Sequence, residues 1–152
     1  MIRVQEEQFD PGAELEALKR GNTSIGGSCM FVGTVRDLSD GADVKAMTLE
    51  HYPGMTEKAL AELEQQALDR WPLQASLIIH RYGRMEPGED IVLVITCSAH
   101  RQAAFESAQY LMDWLKTRAP FWKLEEGDQG GSWVDARESD DEAAARWTEP
   151  AS

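Results

Sequence analysis

Apolar positions along the chain follow a two-residue rhythm in some stretches and a 3.6-residue rhythm in others, and the changes of rhythm divide it into elements. Residues 12–20 (GAELEALKR) predict a short helix closed by Gly21. The run 25–35 (IGGSCMFVGTV) is strand-like, and its glycines point to a bulge or a close backbone approach. After the polar loop RDLSDGAD, residues 44–52 (VKAMTLEHY) alternate as a half-buried strand does. Pro53-Gly54 turns the chain into a helix over 55–71, with Leu60, Leu63, Ala67 and Trp71 in one stripe, and Pro72 ends it. ASLIIHRYG (75–83) and DIVLVITC (90–97) are apolar enough to be buried strands, joined by the turn MEPGE. A second long helix is predicted over 99–117, with Phe105, Ala108, Met112 and Leu115 facing inward and Ser98 as its N-cap. Pro120 disfavours helix at Ala119, so this helix stops at Thr117 or Arg118. FWKLE and GSWVDA then pair as a hairpin around GDQGG, and the acidic, alanine-rich tail from Glu138 reads as a marginal helix or a loose arm. Two long helices on mostly antiparallel strands, with a small C-terminal β-hairpin, make an α+β fold. Without repeat or linker, residues 1–152 read as one domain.

Composition changes this picture little: 42% hydrophobic and 28% charged residues over 152 positions suit a globular chain with a real core. Charge changes it more. A formal net charge of -12 argues against nucleic acid or an anionic membrane as partner, since both call for a basic face. It leaves room for a small phosphorylated ligand held by local cations, and for a basic protein partner. The start, MIRVQEEQFD, is neither basic nor apolar, and no segment approaches membrane-span length, so a cytoplasmic protein is expected. Cys29 and Cys97 fall in predicted strands and are expected as buried free thiols rather than a disulfide or a nucleophile.

Phosphate loops, nucleophile elbows, HExxH and paired CxxC motifs are all absent from the sequence, and His51, His80 and His100 are too scattered to suggest a metal site. What remains is a set of cations: Arg36, His100, Arg101, Lys116 and Lys123. His100 and Arg101 open the second long helix, where free N–H groups and the positive dipole end attract anions. A capped helix with a surface arginine accounts for them equally well. Arg36 alone reads as a surface arginine, and Lys116 as a cation favoured in a last helical turn. In a strand starting at Phe121, residues 121, 123 and 125 share a face, which sets Lys123 beside Glu125. On spacing alone, a solvated face explains that pair.

LEHYPGMTEKALAE, RWPL, SAHRQAAFE, MDWLKTRAPFWK and WVDARESD, in that order from about residue 25 to Trp147, resemble the catalytic (large) subunit family of molybdopterin synthase. The resemblance implies an α/β hammerhead fold and a homodimer. Each subunit would bind a small ubiquitin-like sulfur carrier whose C-terminal Gly-Gly bears a thiocarboxylate, giving a heterotetramer with two carriers. The implied reaction is a sulfurtransferase step that converts cyclic pyranopterin monophosphate to molybdopterin by adding two sulfurs. No cofactor would be bound by this chain, because the sulfur arrives on the carrier.

By matched position, the resemblance implies a site of Arg36, His100, Arg101, Lys116 and Lys123, lined by Thr34, Val35, Leu124 and Glu125. Lys116 and Lys123 would be catalytic, with substrate phosphate against Arg36, His100 and Arg101 through charge-assisted bonds. One consequence needs no family. Sixteen residues of helix between His100 and Lys116 separate them by about 24 Å, so a shared substrate requires two subunits. The chain departs from well-known members at Leu124, where a basic residue is common, at Thr34 in place of a lysine, and at Asp37 in place of an asparagine. The rival reading is a non-catalytic dimeric module that binds a ubiquitin-like tail or a phosphorylated ligand. Retention of both lysines favours the enzyme.

Overall fold

The computed structural model describes residues 1–39, 42–127, 130–134 and 145–148. In chain order its elements are β1 (Ile2–Gln5), α1 (Pro11–Lys19), β2 (Gly27–Thr34), β3 (Leu38–Ser39), β4 (Ala42–His51), α2 (Met55–Arg70) and β5 (Leu73–Arg81). Then follow β6 (Gly83–Met85), β7 (Asp90–Ser98), α3 (Arg101–Arg118), β8 (Phe121–Gly127), β9 (Gly130–Val134) and a 3-10 turn at Arg146–Thr148. The fold is α+β, as the apolar rhythm predicts.

One sheet has the order β1-β5-β7-β2, antiparallel except for the β1–β5 pair. Both its faces are covered, which explains the long apolar runs of β5 and β7. Leu77, Ile79, Leu93 and Ile95 pack towards Leu15 and Leu18 of α1. On the other face, Ile78, Val92 and Val94 meet Leu60, Leu63 and Ala67 of α2 and Ala108, Leu111 and Leu115 of α3. Burying each such leucine contributes about 2 kcal/mol, enough to hold helices that are marginal alone in water. The second sheet runs β3-β4-β8-β9, with β6 also on β4. Val35, at the end of β2, joins Met47, Leu49 and Met85 in the core beneath it.

The structure differs from the sequence reading at several points. The N-terminus forms β1, a four-residue strand whose place is set by parallel pairing with β5 rather than by its own pattern. The polar loop after β2 contains β3, which pairs with the start of β4. Ser98 does not cap α3: its hydroxyl donates to the Pro72 carbonyl at 3.1 Å, and His100 stands at the cap. Phe105 does not face inward but is 60% exposed, because the buried stripe runs Ala104, Ala108, Leu111, Leu115, with Met112 at its margin. The expected hairpin is present as β8 and β9, paired from Lys123–Val134 to Gly127–Gly130. Cys29 and Cys97 are free, Cys97 buried and Cys29 partly so. Most of the acidic tail lies outside the described residues. Its Trp147 packs against Trp71 and Tyr110 and donates from its indole nitrogen to Asp113 at 2.6 Å.

Candidate active site

Chain direction decides which candidate residues can meet. β7 leads into α3, and the helix folds back over the sheet, so it runs antiparallel to β7 and parallel to β2. Gly26 and Gly27 therefore lie against the start of α3, as their crowding by Ala99 and Arg101 shows. Thr34, Val35 and Arg36 leave β2 at the other end, the end where α3 presents Lys116. The expected separation holds: Lys116 is in the last turn of α3, and His100 and Arg101 are at its beginning.

At the Lys116 end, strand register resolves what spacing leaves open. Lys123 pairs with Leu49, and Phe121 with His51. Directly paired residues share a face, and Leu49 belongs to the core beneath the second sheet. Lys123 thus rises from the inner face of β8 and is partly buried, rather than standing on a solvated face. Trp122, one residue earlier, points outward onto Tyr52, with ring centroids 4.6 Å apart. Leu124 lies on that outer face as well, since alternate residues of a strand diverge. Glu125 pairs with Met47 in the ladder, and the expected partnership of its carboxylate with Lys123 lies outside the described residues. Val35 is held by backbone bonds of 2.9 and 2.8 Å to Glu89 and Gly88, which aims exposed Arg36 off the end of β2. Thr34 donates to Asp90 at 3.0 Å.

The start of α3 forms an open polar depression lined by Gly26, Ala99, His100, Arg101, Gln102 and Phe105. No side chain caps this helix and its first turn carries no acidic residue, so its free N–H groups and dipole remain available to an anion beside two cationic side chains. Among the described residues no cluster of three or more His, Cys, Asp or Glu is placed to hold a metal ion. Nor is any described helix long and apolar enough to cross a membrane.

Comparison with known proteins identifies the family. The model of the family described as MoaE protein matches residues 4–118. A Pseudomonas aeruginosa protein named molybdopterin synthase catalytic subunit is 57% identical over 148 residues, covering 97% of this chain and 99% of that one. The chain belongs to the MoaE family.

Solved structures of MoaE proteins carry the likeness into three dimensions. One from Burkholderia ambifaria superimposes with a TM-score of 0.84 at 51% identity, covering 99% of both chains. A molybdopterin synthase from Staphylococcus aureus does so with 0.80 at 27% identity, over 87% of this chain and 95% of that one. The Pseudomonas aeruginosa relative is named a catalytic subunit, and this MoaE chain is likewise an enzyme of molybdopterin synthesis.

Two histidines around Phe121 escape the sequence reading of the site. His80 on β5 stacks on Phe121 with centroids 3.8 Å apart and planes 17° from parallel. His51 on β4 stands 5.9 Å from the same ring. Burial holds the His80 imidazole down to about pKa 4, with the nearby charges of Lys116 and His51 acting in the same direction. These side chains come from different sheets, so no spacing in the sequence announces them.

Proposed function

We propose that the chain is the sulfur-transferring half of a cytoplasmic molybdopterin synthase. It would take cyclic pyranopterin monophosphate as substrate and receive two sulfurs from the thiocarboxylated Gly-Gly terminus of a small ubiquitin-like carrier. The observation that carries this reading is the joint placement of Lys116 and Lys123 at one end of the fold: Lys116 in the last turn of α3, Lys123 on the inner face of β8. Pro120 ends the helix between them, so two residues seven apart in sequence leave different elements. A thiocarboxylate carbonyl set between two lysines meets one group able to attack or take a proton when neutral, and another able to stabilise an oxyanion when charged. Lys116, exposed at the helix end, is assigned the first contact with the carrier tail, and Lys123 the supporting role.

Substrate phosphate is assigned to Arg36, His100 and Arg101. Arg36 leaves β2 at one end while His100 and Arg101 open α3 at the other, so the assignment requires two copies of the chain. β2 is the edge of its sheet, and its mid-strand residues Met30 and Phe31 are 41% and 44% exposed. An isologous contact along that edge covers them and sets the two β2–α3 units head to tail. Each Lys116 end then faces the partner's α3 start. With one carrier per subunit, the assembly is a heterotetramer.

Conversion in vitro tests the reading. Purified chain, thiocarboxylated carrier and cyclic pyranopterin monophosphate should yield the dithiolene product, and Lys116→Ala should lower the rate at least about a hundredfold. Absence of product with the unaltered chain, or a Lys116→Ala chain that matches it, contradicts the assignment.

A further inference from the structure

The C-terminal turn Arg146–Thr148 holds α3 in the half that carries Lys116. The indole nitrogen of Trp147 donates to the Asp113 carboxylate at 2.6 Å, and Nε of Arg146 approaches the same carboxylate at 3.6 Å. Asp113 stands three residues before Lys116, and its side chain is only 12% exposed. The Trp147 ring packs edge-on against Tyr110 of α3 and Trp71 at the end of α2, with centroids 5.5 and 5.8 Å apart. Between the rings lies the Arg70 guanidinium, 5.1 to 5.5 Å from each centroid, and it donates to the Trp147 carbonyl at 3.1 Å. Side chain and backbone of Trp147 are thus both held, one by α3 and the other by α2. Trp71 and Tyr110 donate to partners on the helices themselves, Glu106 at 2.9 Å and Gln66 at 2.8 Å. The helices therefore keep the cage in shape, and Trp147 fills it.

The end of α3 has use for such a hold. α1 and α2 each close on a backbone N–H bond from the C-cap residue, Arg20 to Glu16 and Trp71 to Ala67. α3 stops at Ala119 before Pro120 without that bond among the described residues, which leaves its last turn prone to fray. We propose that residues 145–148 are a clasp on α3 and that Trp147 is a positioning residue for Lys116. By tying Tyr110 and Asp113 to the end of α2, the clasp keeps the last turn of α3 wound and its lysine fixed in direction. The consequence for turnover rests on the reading that Lys116 acts on the carrier-borne thiocarboxylate. A misdirected lysine lowers the fraction of productive complexes rather than their affinity, so the effect belongs to kcat. A tail that merely covers apolar surface would stabilise the whole fold and favour no one turn of it.

Amide hydrogen exchange and kinetics on the full chain separate the two roles. In Trp147→Ala, amides 114–118 should exchange at least about tenfold faster, while those of β5 and β7 keep their rates. With thiocarboxylated carrier and cyclic pyranopterin monophosphate, its kcat should fall about fivefold and each KM stay within about twofold of the unaltered chain. Unchanged exchange at 114–118, or exchange quickened equally throughout the fold, overturns the clasp. Local quickening with normal turnover, or with a loss carried by KM, overturns the positioning role. Should Trp147→Ala fail to fold by circular dichroism, Trp147→Phe decides, since it keeps a ring in the cage and loses only the bond to Asp113. Faster exchange confined to 114–118 then supports the proposal, and unchanged exchange refutes it. Lys116→Ala in the same assay separates this inference from its premise. If Lys116→Ala is inactive while Trp147→Ala is normal, only the positioning role falls. If Lys116→Ala is fully active, the assignment of Lys116 falls and the positioning role with it, while exchange still decides the clasp.

Discussion

At the scale of single residues, environment assigns roles that residue type leaves open. Lys123 and Lys116 are both lysines near a proline, yet one is partly buried on the inner face of a strand and the other exposed at a helix end. His80 makes the point through protonation. Its folded pKa of about 4 lies below the ordinary 6.5, so below pH 6.5 the unfolded chain binds the proton more readily. The His80 contribution to stability is therefore complete above pH 6.5 and lost progressively as pH falls towards 4. Across that window the loss amounts to as much as about 3 kcal/mol. Urea denaturation of the unaltered chain and of His80→Phe at pH 7 and pH 4 checks this: the variant should lose correspondingly less stability on acidification. Equal losses in the two chains would show that His80 is not held neutral by the fold.

Elements carry the next level of the account, and here the sequence was legible in proportion to how local each signal is. The α2 stripe of Leu60, Leu63 and Ala67, the buried runs of β5 and β7, and the Pro120 stop all follow from periodicity and backbone chemistry. The inner face of α3 is read correctly at Ala108 and Leu115 but not at Phe105, which outweighs Ala104 in hydrophobicity although the alanine is the buried one. β1 has no local signal strong enough to betray it, since its partner β5 begins some seventy residues later. The glycines of the run 25–35, in and just before β2, are read correctly as marks of close approach. A Cβ on Gly26 would stand 2.0 Å from the Ala99 carbonyl oxygen, a backbone atom that cannot swing aside. Gly26→Ala should thus cost at least about 2 kcal/mol by chemical denaturation, and should disturb the His100–Arg101 turn more than the Lys116 end. A neutral substitution would mean that β2 and α3 are not pinned together there. Of the candidate site, the cations were legible one by one. Their division between two ends of the molecule was legible only through helix length, and the His51–His80–Phe121 group not at all, because it forms where two sheets meet.

For the whole molecule, the parallel course of β2 and α3 is the feature with the largest consequence. It sends Arg36 and Lys116 to one end and His100 and Arg101 to the other, so under the proposed assignment a single chain would hold two half-sites and no whole one. Family membership establishes an enzyme of molybdopterin synthesis, and the exposed edge at Met30 and Phe31 offers a contact that would unite the halves. Subunit mixing tests this most directly. A Lys116→Ala chain and a His100→Ala/Arg101→Ala chain, each inactive alone, are unfolded together, refolded as dimers and assayed with thiocarboxylated carrier. Random pairing makes half the dimers mixed, each with one intact site of two, so roughly a quarter of normal activity should return. No recovery in a preparation whose mixed dimers are verified by mass would contradict a site shared between subunits.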